Sequence, residues 1–161
     1  YGEIEIGGWA KMSSRISHSF MLQDLVHRNA ASVLYSASQT PDIEMKIVKQ
    51  EKMDGNLHRV RVRLVNHNAI PSMTNSAVQD KLYPQDMLKV SGQNVQVVAG
   101  GKVTNQHRNT VNFKEDKPEL QFLRVPGISA EEFDFILEGT GNVQIDYESG
   151  KAANRSVNIR L

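Results

Sequence analysis

The spacing of apolar residues predicts a short strand and one helix in the first part of the chain. Residues 3–6 alternate glutamate with isoleucine and end at Gly7-Gly8, which is the pattern of a strand followed by a turn. From Ser19 onward apolar residues recur at helical spacings, which predicts an amphipathic helix over residues 19–38 with Ser17 or Ser19 as its N-cap. Its predicted apolar face comprises Leu22, Leu25, Val26, Val33, Leu34 and Ala37.

After Pro41 the apolar residues recur at every second position, which is the period of a strand. Residues 43–47 alternate isoleucine or methionine with charged residues, and residues 60–64 alternate valine or leucine with arginine. Asp54-Gly55 lies between the two runs and is a common turn sequence. The two runs therefore predict a β-hairpin.

Two registers of this hairpin bring the apolar residues to the same face. A four-residue loop places Ile47 opposite Val60 and Glu44 opposite Arg63. A two-residue loop places Lys46 opposite Arg63. Because like charges directly opposed cost a few tenths of a kcal/mol, roughly, the sequence favours the four-residue loop.

The rest of the chain predicts further short strands separated by turns. One or two helical turns are predicted within residues 76–82, and Gly100-Gly101 is interpreted as a turn. The predicted strands are 87–91, 93–98, 110–113, 120–125, 132–137, 143–147 and 156–161. This pattern predicts a mainly β fold, an antiparallel Ig-like or fibronectin-like β-sandwich over residues 41–161, preceded by the short strand and the amphipathic helix of residues 1–40. Phe133 and Phe135 are predicted to be core, and Tyr147 either core or a surface corner.

Composition and charge narrow the classes of function. Nineteen lysines and arginines stand against eighteen acidic residues, a net charge of +1 that provides no global field for nucleic acid. The absence of cysteine excludes disulfides, thiolate metal sites and thiol nucleophiles. No window approaches the roughly 18 apolar residues of a membrane span. Since the chain starts within a strand pattern at Tyr1, we expect it to be a piece of a larger protein.

Motifs of catalysis are not found in the sequence, so no catalytic, cofactor-binding or metal-binding residue is predicted. None of the five histidines is followed at a three-residue spacing by Glu or His, as a helical zinc signature requires. There is no glycine-rich phosphate loop and no G-x-S-x-G elbow. A site assembled from distant histidines stays open as an alternative.

The most basic local feature is the stripe formed by His58, Arg59, Arg61 and Arg63. We interpret it as a solvated sheet face that is partly balanced by Glu44. Substitution of Arg61 by aspartate should then be tolerated, whereas Val62→Asp should be severely destabilising. The alternative hypothesis is a binding site for an acidic ligand or a phosphate.

Five segments, taken in order, resemble the region after the catalytic core of large bacterial zinc carboxypeptidases of the carboxypeptidase A type. Residues 2–9 are similar to the family's G-x-[VI]-E-I-G-G-[WF] stretch, and a helix carrying residues 27–29 follows. Residues 65–72 resemble its N-x-G-x-L-P-T segment, residues 123–127 its apolar-x-[VI]-P-G segment, and residues 139–145 its G-x-G-x-[VA]-x-[VI] segment. The chain departs from the family in turns, where the family often has glycine.

This resemblance implies that the chain is a non-catalytic C-terminal accessory β-sandwich of a secreted or periplasmic metallopeptidase. The family's zinc ligands would lie upstream of Tyr1, so zinc is expected in the upstream catalytic domain and no cofactor in this fragment. Glu5 sits on a strand before a helix, as the family's general base does, but we interpret it as a surface or structural position. The expected partners are the parent's own catalytic domain, peptide substrate and, through the helix of residues 19–38, a second copy of the chain.

Two other classes of function stay open. One is a freestanding glycan- or protein-binding β-sandwich module, which a row of exposed aromatic residues on one sheet face would favour. The other is a small hydrolase with a site assembled from distant residues, which a bound metal would favour.

Overall fold

The computed structural model describes residues 2–4, 6–8 and 17–161. Glu3, Ile4 and Ile6 are not in a strand, so these three residues do not form the strand predicted over residues 3–6; Glu5 lies outside the described residues. Contacts divide the chain into two compact units, Tyr1–Gln39 and Thr40–Leu161. We call the second the sandwich unit. No helix among the described residues is long and apolar enough to cross a membrane.

The first unit contains helix α1, Ser19–Ser38, with the bounds that the periodicity predicts. Its N-cap is His18, without a side-chain capping bond, so the prediction of Ser17 or Ser19 is wrong. Asp24 and Arg28 form an exposed ion pair of 3.0 Å one turn apart. None of the residues of α1 is buried, and Leu34 of its predicted apolar face is 71% exposed.

The sandwich unit has nine strands in two antiparallel sheets, which confirms the predicted mainly β sandwich. Sheet 1 has the order β1-β2-β7-β4-β5, and sheet 2 has the order β6-β3-β8-β9. A short helix, α2 (Asn75–Gln79), precedes β3. The strands are β1 Ile43–Lys52, β2 Leu57–Asn66, β3 Asp86–Gly92, β4 Val95–Asn105, β5 Thr110–Phe113, β6 Leu120–Leu123, β7 Ser129–Gly139, β8 Asn142–Glu148 and β9 Arg155–Arg160.

The core lies between the sheets and is formed by alternate residues of the strands. From sheet 1 it takes alternate apolar residues of β1, β2 and β7, including Phe133 and Phe135, whose predicted burial is confirmed. From sheet 2 it takes Leu88, Ile145 and Tyr147, each with no exposed surface. Tyr147 is therefore a core residue and not a surface corner, the two positions that the sequence left open.

The register predicted for the first hairpin is wrong. Lys46 lies opposite Arg63 and Ile47 opposite Val62, which is the pairing that the charge argument disfavoured. The opposed cations are each neutralised by a carboxylate. Arg63 Nε donates to Glu132 on the neighbouring strand β7 at 2.6 Å, and Lys46 Nζ lies 2.7 Å from Glu44. The repulsion between Lys46 and Arg63 is therefore compensated by these two carboxylates.

A bulge and a three-residue loop complete this hairpin. The register shifts between Ile47 and Lys49, so Val48 has no direct partner. The N–H of Met53 donates to the carbonyl of Leu57 at 2.8 Å and closes a loop in which Gly55 has φ +72°. A left-handed backbone of this kind favours glycine.

Gly100-Gly101 is not a turn, contrary to the prediction, but lies within β4. A Cβ added at Gly100 would overlap the carbonyl oxygen of Pro118, and one added at Gly101 would overlap that of Asn112. These glycines therefore permit close approach of two backbone segments rather than a reversal of the chain.

Candidate functional site

The three arginines of the basic stripe, on the outer face of sheet 1, are paired with carboxylates of β7. Arg61 lies directly opposite Asp134, and its Nε and Nη2 donate to the two carboxylate oxygens at 2.9 and 2.6 Å. Arg59 donates to the same carboxylate through Nε at 3.1 Å. Burial acts to raise the pKa of Asp134, but the hydrogen bonds from Arg61 and Arg59 outweigh it and keep the pKa below its usual range.

The interpretation of this stripe as a solvated face balanced by Glu44 is wrong. Asp134 has no exposed surface, and Arg61 is almost completely buried. The Arg61 guanidinium also donates to Asn109 in the β4–β5 loop at 3.1 Å. Glu44 contacts Lys46 and His67 instead. The alternation of Glu132 and Asp134 in the strand predicted over residues 132–137 was the sequence signal for this pairing.

A second polar cluster is buried next to the core of sheet 2. The Tyr147 hydroxyl donates to Asp86 Oδ2 at 2.9 Å, and both residues have no exposed surface. Burial is the main cause of a raised pKa for Tyr147, and the neighbouring Asp86 carboxylate raises this pKa further. Ser72, also buried, accepts from the N–H of Val125 at 2.9 Å. These bonds tie β3, β8 and two loops together, whereas Asp86 Oδ1 is buried without a hydrogen-bond partner among the described residues.

A surface groove of about 960 Å³ lies on the outer face of sheet 2, and we call it the Met87 groove. Met87 on β3 forms its floor, between its register partners Phe122 on β6 and Glu148 on β8. One wall consists of α2 and the residues that follow it, and the other of the β8–β9 loop. The lining residues are Met73, Ala77, Val78, Lys81, Leu82, Tyr83, Pro84, Gln85, Met87, Phe122, Glu148, Ser149, Gly150 and Asn154.

Local bonds at α2 place apolar side chains along this wall. The Thr74 hydroxyl caps α2 by accepting from the N–H of Ala77, and Leu82 N–H donates to the carbonyl of Ala77 at 3.2 Å. Leu82 is 66% exposed, and Phe122 on the floor is 53% exposed. No pattern in the sequence indicated this groove, because its parts come from segments that lie far apart in the chain.

Lysines lie on the aromatic rings of the groove. Lys114 Nζ is 5.3 Å from the centroid of the Phe122 ring, and Lys151 Nζ is 5.2 Å from that of Tyr83. Both distances suit a cation–π contact. Lys81 is the one lysine in the lining itself, and Glu148 is its one carboxylate. The Tyr83 hydroxyl is buried and has no hydrogen-bond partner among the residues that the structure describes.

None of the histidines of the sandwich unit lines the groove. His58 is buried with its Nε2 unpartnered, and His67 Nε2 lies 3.0 Å from Glu44. Within residues 2–4, 6–8 and 17–161, no group of three His, Asp or Glu residues is arranged to hold a metal ion. Glu5 lies outside the residues that the structure describes.

Two antiparallel sheets around a common core, with a groove on one outer face, define a β-sandwich domain. The chain belongs to the family described as a domain of unknown function, DUF8731, whose match spans residues 42–160. No curated protein matches the chain.

Two solved structures are among those similar to the chain. A β-glycosidase from Bacteroides vulgatus is 8% identical with a TM-score of 0.38, over 76% of this chain and 14% of that one. The sporulation control protein Spo0M from Bacillus subtilis is 10% identical with a TM-score of 0.37, over 76% of this chain and 48% of that one. The chain thus matches less than half the length of either protein.

Proposed function

We propose that the sandwich unit is a non-catalytic accessory module that binds an apolar segment of another protein in the Met87 groove. The observation that carries this proposal is the exposure of large apolar side chains, Leu82 at 66% and Phe122 at 53%, in one concave surface. Contiguous exposed apolar surface of this kind is typical of interaction sites. Removing it from water is the main source of free energy for such binding.

The basic stripe is a weaker candidate for a binding site than the groove. Arg59, Arg61 and Arg63 already donate to Asp134 and Glu132. An acidic ligand would have to displace these internal carboxylates, and a buried carboxylate left without its partner is costly. The stripe therefore supports a structural role.

Glycan binding has less support than protein binding. A sugar-binding sheet face commonly offers a row of aromatic rings, but the row across the groove floor is Phe122, Met87 and Glu148. A methionine floor is adaptable and suits the side chains of a peptide segment.

For the parent protein, we propose a secreted or periplasmic zinc carboxypeptidase whose catalytic domain is the module's partner. This proposal is supported by four segments that resemble segments of that family in the same order along the chain: residues 2–9, 65–72, 123–127 and 139–145. Two tests address it. The reading frame upstream of Tyr1 should encode an H-x-x-E zinc motif, and the purified chain itself should release no C-terminal residues from peptides when zinc is added. Turnover by this chain that a chelator abolishes would contradict the non-catalytic assignment.

Groove binding can be tested by selecting peptides from a random displayed library on the full chain. Selected peptides should contain apolar residues, and fluorescence polarisation should show that Leu82→Ser and Phe122→Ser weaken their binding at least about tenfold. Val98→Ser is the matched control, since Val98 is 50% exposed and lies outside the groove. Peptides that bind all three variants equally would contradict the assignment of the groove.

A further inference from the structure

We infer that the Met87 groove takes an extended segment in which apolar residues are flanked by acidic residues, added along the free edge of β6. The inference rests on the proposed function and specifies the chemistry of the partner. It combines the charge around the groove with the hydrogen-bonding state of the edge strand beside it.

The charge around the groove is positive. Lys81 lines it, and Lys114 and Lys151 lie over the rings of the lining residues Phe122 and Tyr83; none of the three lysines is in an ion pair with another described residue. Glu148 is the single carboxylate in the lining. Because the whole chain has a net charge of only +1, this excess is local. Carboxylates that flank an apolar core would meet these lysines while the apolar side chains occupy the floor.

The edge strand beside the groove has backbone groups free for pairing. β6 is at the end of sheet 2 and pairs only with β3. The N–H of Val90 donates to the carbonyl of Glu119 at 2.9 Å, which continues the register in which Leu88 faces Gln121. Hydrogen-bonded pairs alternate with non-hydrogen-bonded pairs in an antiparallel ladder, so Phe122 directs its N–H and C=O away from β3.

One residue of this edge is already occupied. Leu120 N–H donates to the carbonyl of Lys117 at 3.0 Å, and its carbonyl accepts from Lys114 Nζ at 3.1 Å. The free edge is therefore short and centred on Phe122, whose side chain also lines the groove. A short extended segment can pair with Phe122 and place alternate side chains into the groove, as in strand addition to a sheet edge.

The test uses the full chain and fluorescein-labelled hexapeptides in which two central leucines are flanked on each side by two glutamates. Matched peptides replace the glutamates with lysines, replace the leucines with serines, or carry N-methyl groups on the central amides. We expect the glutamate–leucine peptide to bind at least about tenfold more tightly than each of the other three, and to lose affinity when salt is raised.

Protein variants locate the charge contacts. Lys81→Gln, Lys114→Gln and Lys151→Gln should each weaken binding of the glutamate–leucine peptide about two- to fivefold, the usual range for exposed ion pairs. Lys52→Gln, on the edge strand β1 of the other sheet, is the matched control and should leave it unchanged. Melting temperatures of all variants should stay close to that of the parent chain.

The outcomes separate this inference from the proposed function. Equal binding of the lysine peptide overturns the acidic preference, and equal binding of the N-methylated peptide overturns strand addition. In both cases the proposed function stands if binding still requires Leu82. If the glutamate–leucine peptide does not bind while library peptides bind the groove, only this inference fails. If nothing binds the groove, both fail.

Discussion

Arg155 on β9 donates from Nε to the backbone carbonyl of Ile43 on β1, at 2.8 Å. The two strands are edge strands of different sheets, and the residues are 112 positions apart. Gln50 adds a second bond, from its side-chain amide to the carbonyl of Arg160 at 2.7 Å. Together these bonds connect the two sheets along one open side of the sandwich.

Arg155→Ala should lower the free energy of unfolding by about 1.5–3 kcal/mol, because a hydrogen bond from a charged donor is lost and the Ile43 carbonyl loses its partner. Arg160→Ala is the matched control, since only the backbone carbonyl of Arg160 makes a described hydrogen bond. Urea denaturation of both variants measures the difference. If both lose the same stability, the contact between Arg155 and Ile43 contributes nothing.

Arg61→Asp should destabilise the sandwich unit by about 3–5 kcal/mol, because it removes the two hydrogen bonds from Arg61 to the buried Asp134 and adds a second carboxylate beside it. This reverses the tolerance that the sequence predicted at Arg61. Val62→Asp should be at least as severe, as the sequence predicted, because it buries an unpaired charge in the core. Lys46→Asp, at a position whose side chain is 58% exposed, should cost within about 0.5 kcal/mol. The melting temperatures of the three variants measure the order of their destabilisation.

Acid stability should depend on Asp134. Its folded pKa is below its unfolded value, so the unfolded chain binds more protons between the two pKa values and stability rises with pH there. The contribution is complete above the unfolded pKa of about 3.9 and is lost as pH falls through the folded pKa. Asp134→Asn should therefore flatten the fall in stability below about pH 4, as measured by urea denaturation from pH 2 to pH 7.

Glu44→Gln is the control for this pH profile. Hydrogen bonds from Lys46 and His67 lower the pKa of Glu44, but its carboxylate is exposed and screened by solvent. Removal of the Glu44 carboxylate should leave the fall in stability at low pH nearly unchanged. If Asp134→Asn and the parent chain lose stability in parallel, the buried ion pair is not the source of the pH dependence.

Gly100→Ala should cost about 1–3 kcal/mol or more, because the new methyl group would overlap the carbonyl oxygen of Pro118 and force one backbone segment to move. Gly150→Ala is the matched control. A Cβ at Gly150 would lie 3.5 Å from the Tyr83 ring, which is an ordinary contact. Differential scanning calorimetry compares the two; equal melting temperatures would show that β4 can shift freely.

Deleting residues 1–40 should leave residues 41–161 folding cooperatively with at most a modest fall in Tm, because the core residues all belong to the sandwich unit. The full chain should self-associate through the exposed apolar residues of α1, and the truncated chain should not. Sedimentation velocity measures the association. A truncated chain that is unfolded would show that α1 is needed by the sandwich.

Local patterns in the sequence determined most of the elements of secondary structure. The three- and four-residue spacing after Ser19 predicted α1 with its observed bounds, and alternation predicted β5 as residues 110–113. The same alternation identified Phe133 and Phe135 as core. These features depend on which side of a single helix or strand is apolar, and that information is contained in neighbouring residues.

Only the tertiary structure decided the pairing of charges, the role of the glycines and the position of the groove. Lys46 can face Arg63 because Glu132, about seventy positions away, neutralises the arginine. Gly100 is required by the approach of Pro118, and the groove forms where α2, β6 and the β8–β9 loop converge. Charge compensation, steric overlap and concavity depend on distances between segments remote in the chain. The periodicity of one segment carries no information on those distances.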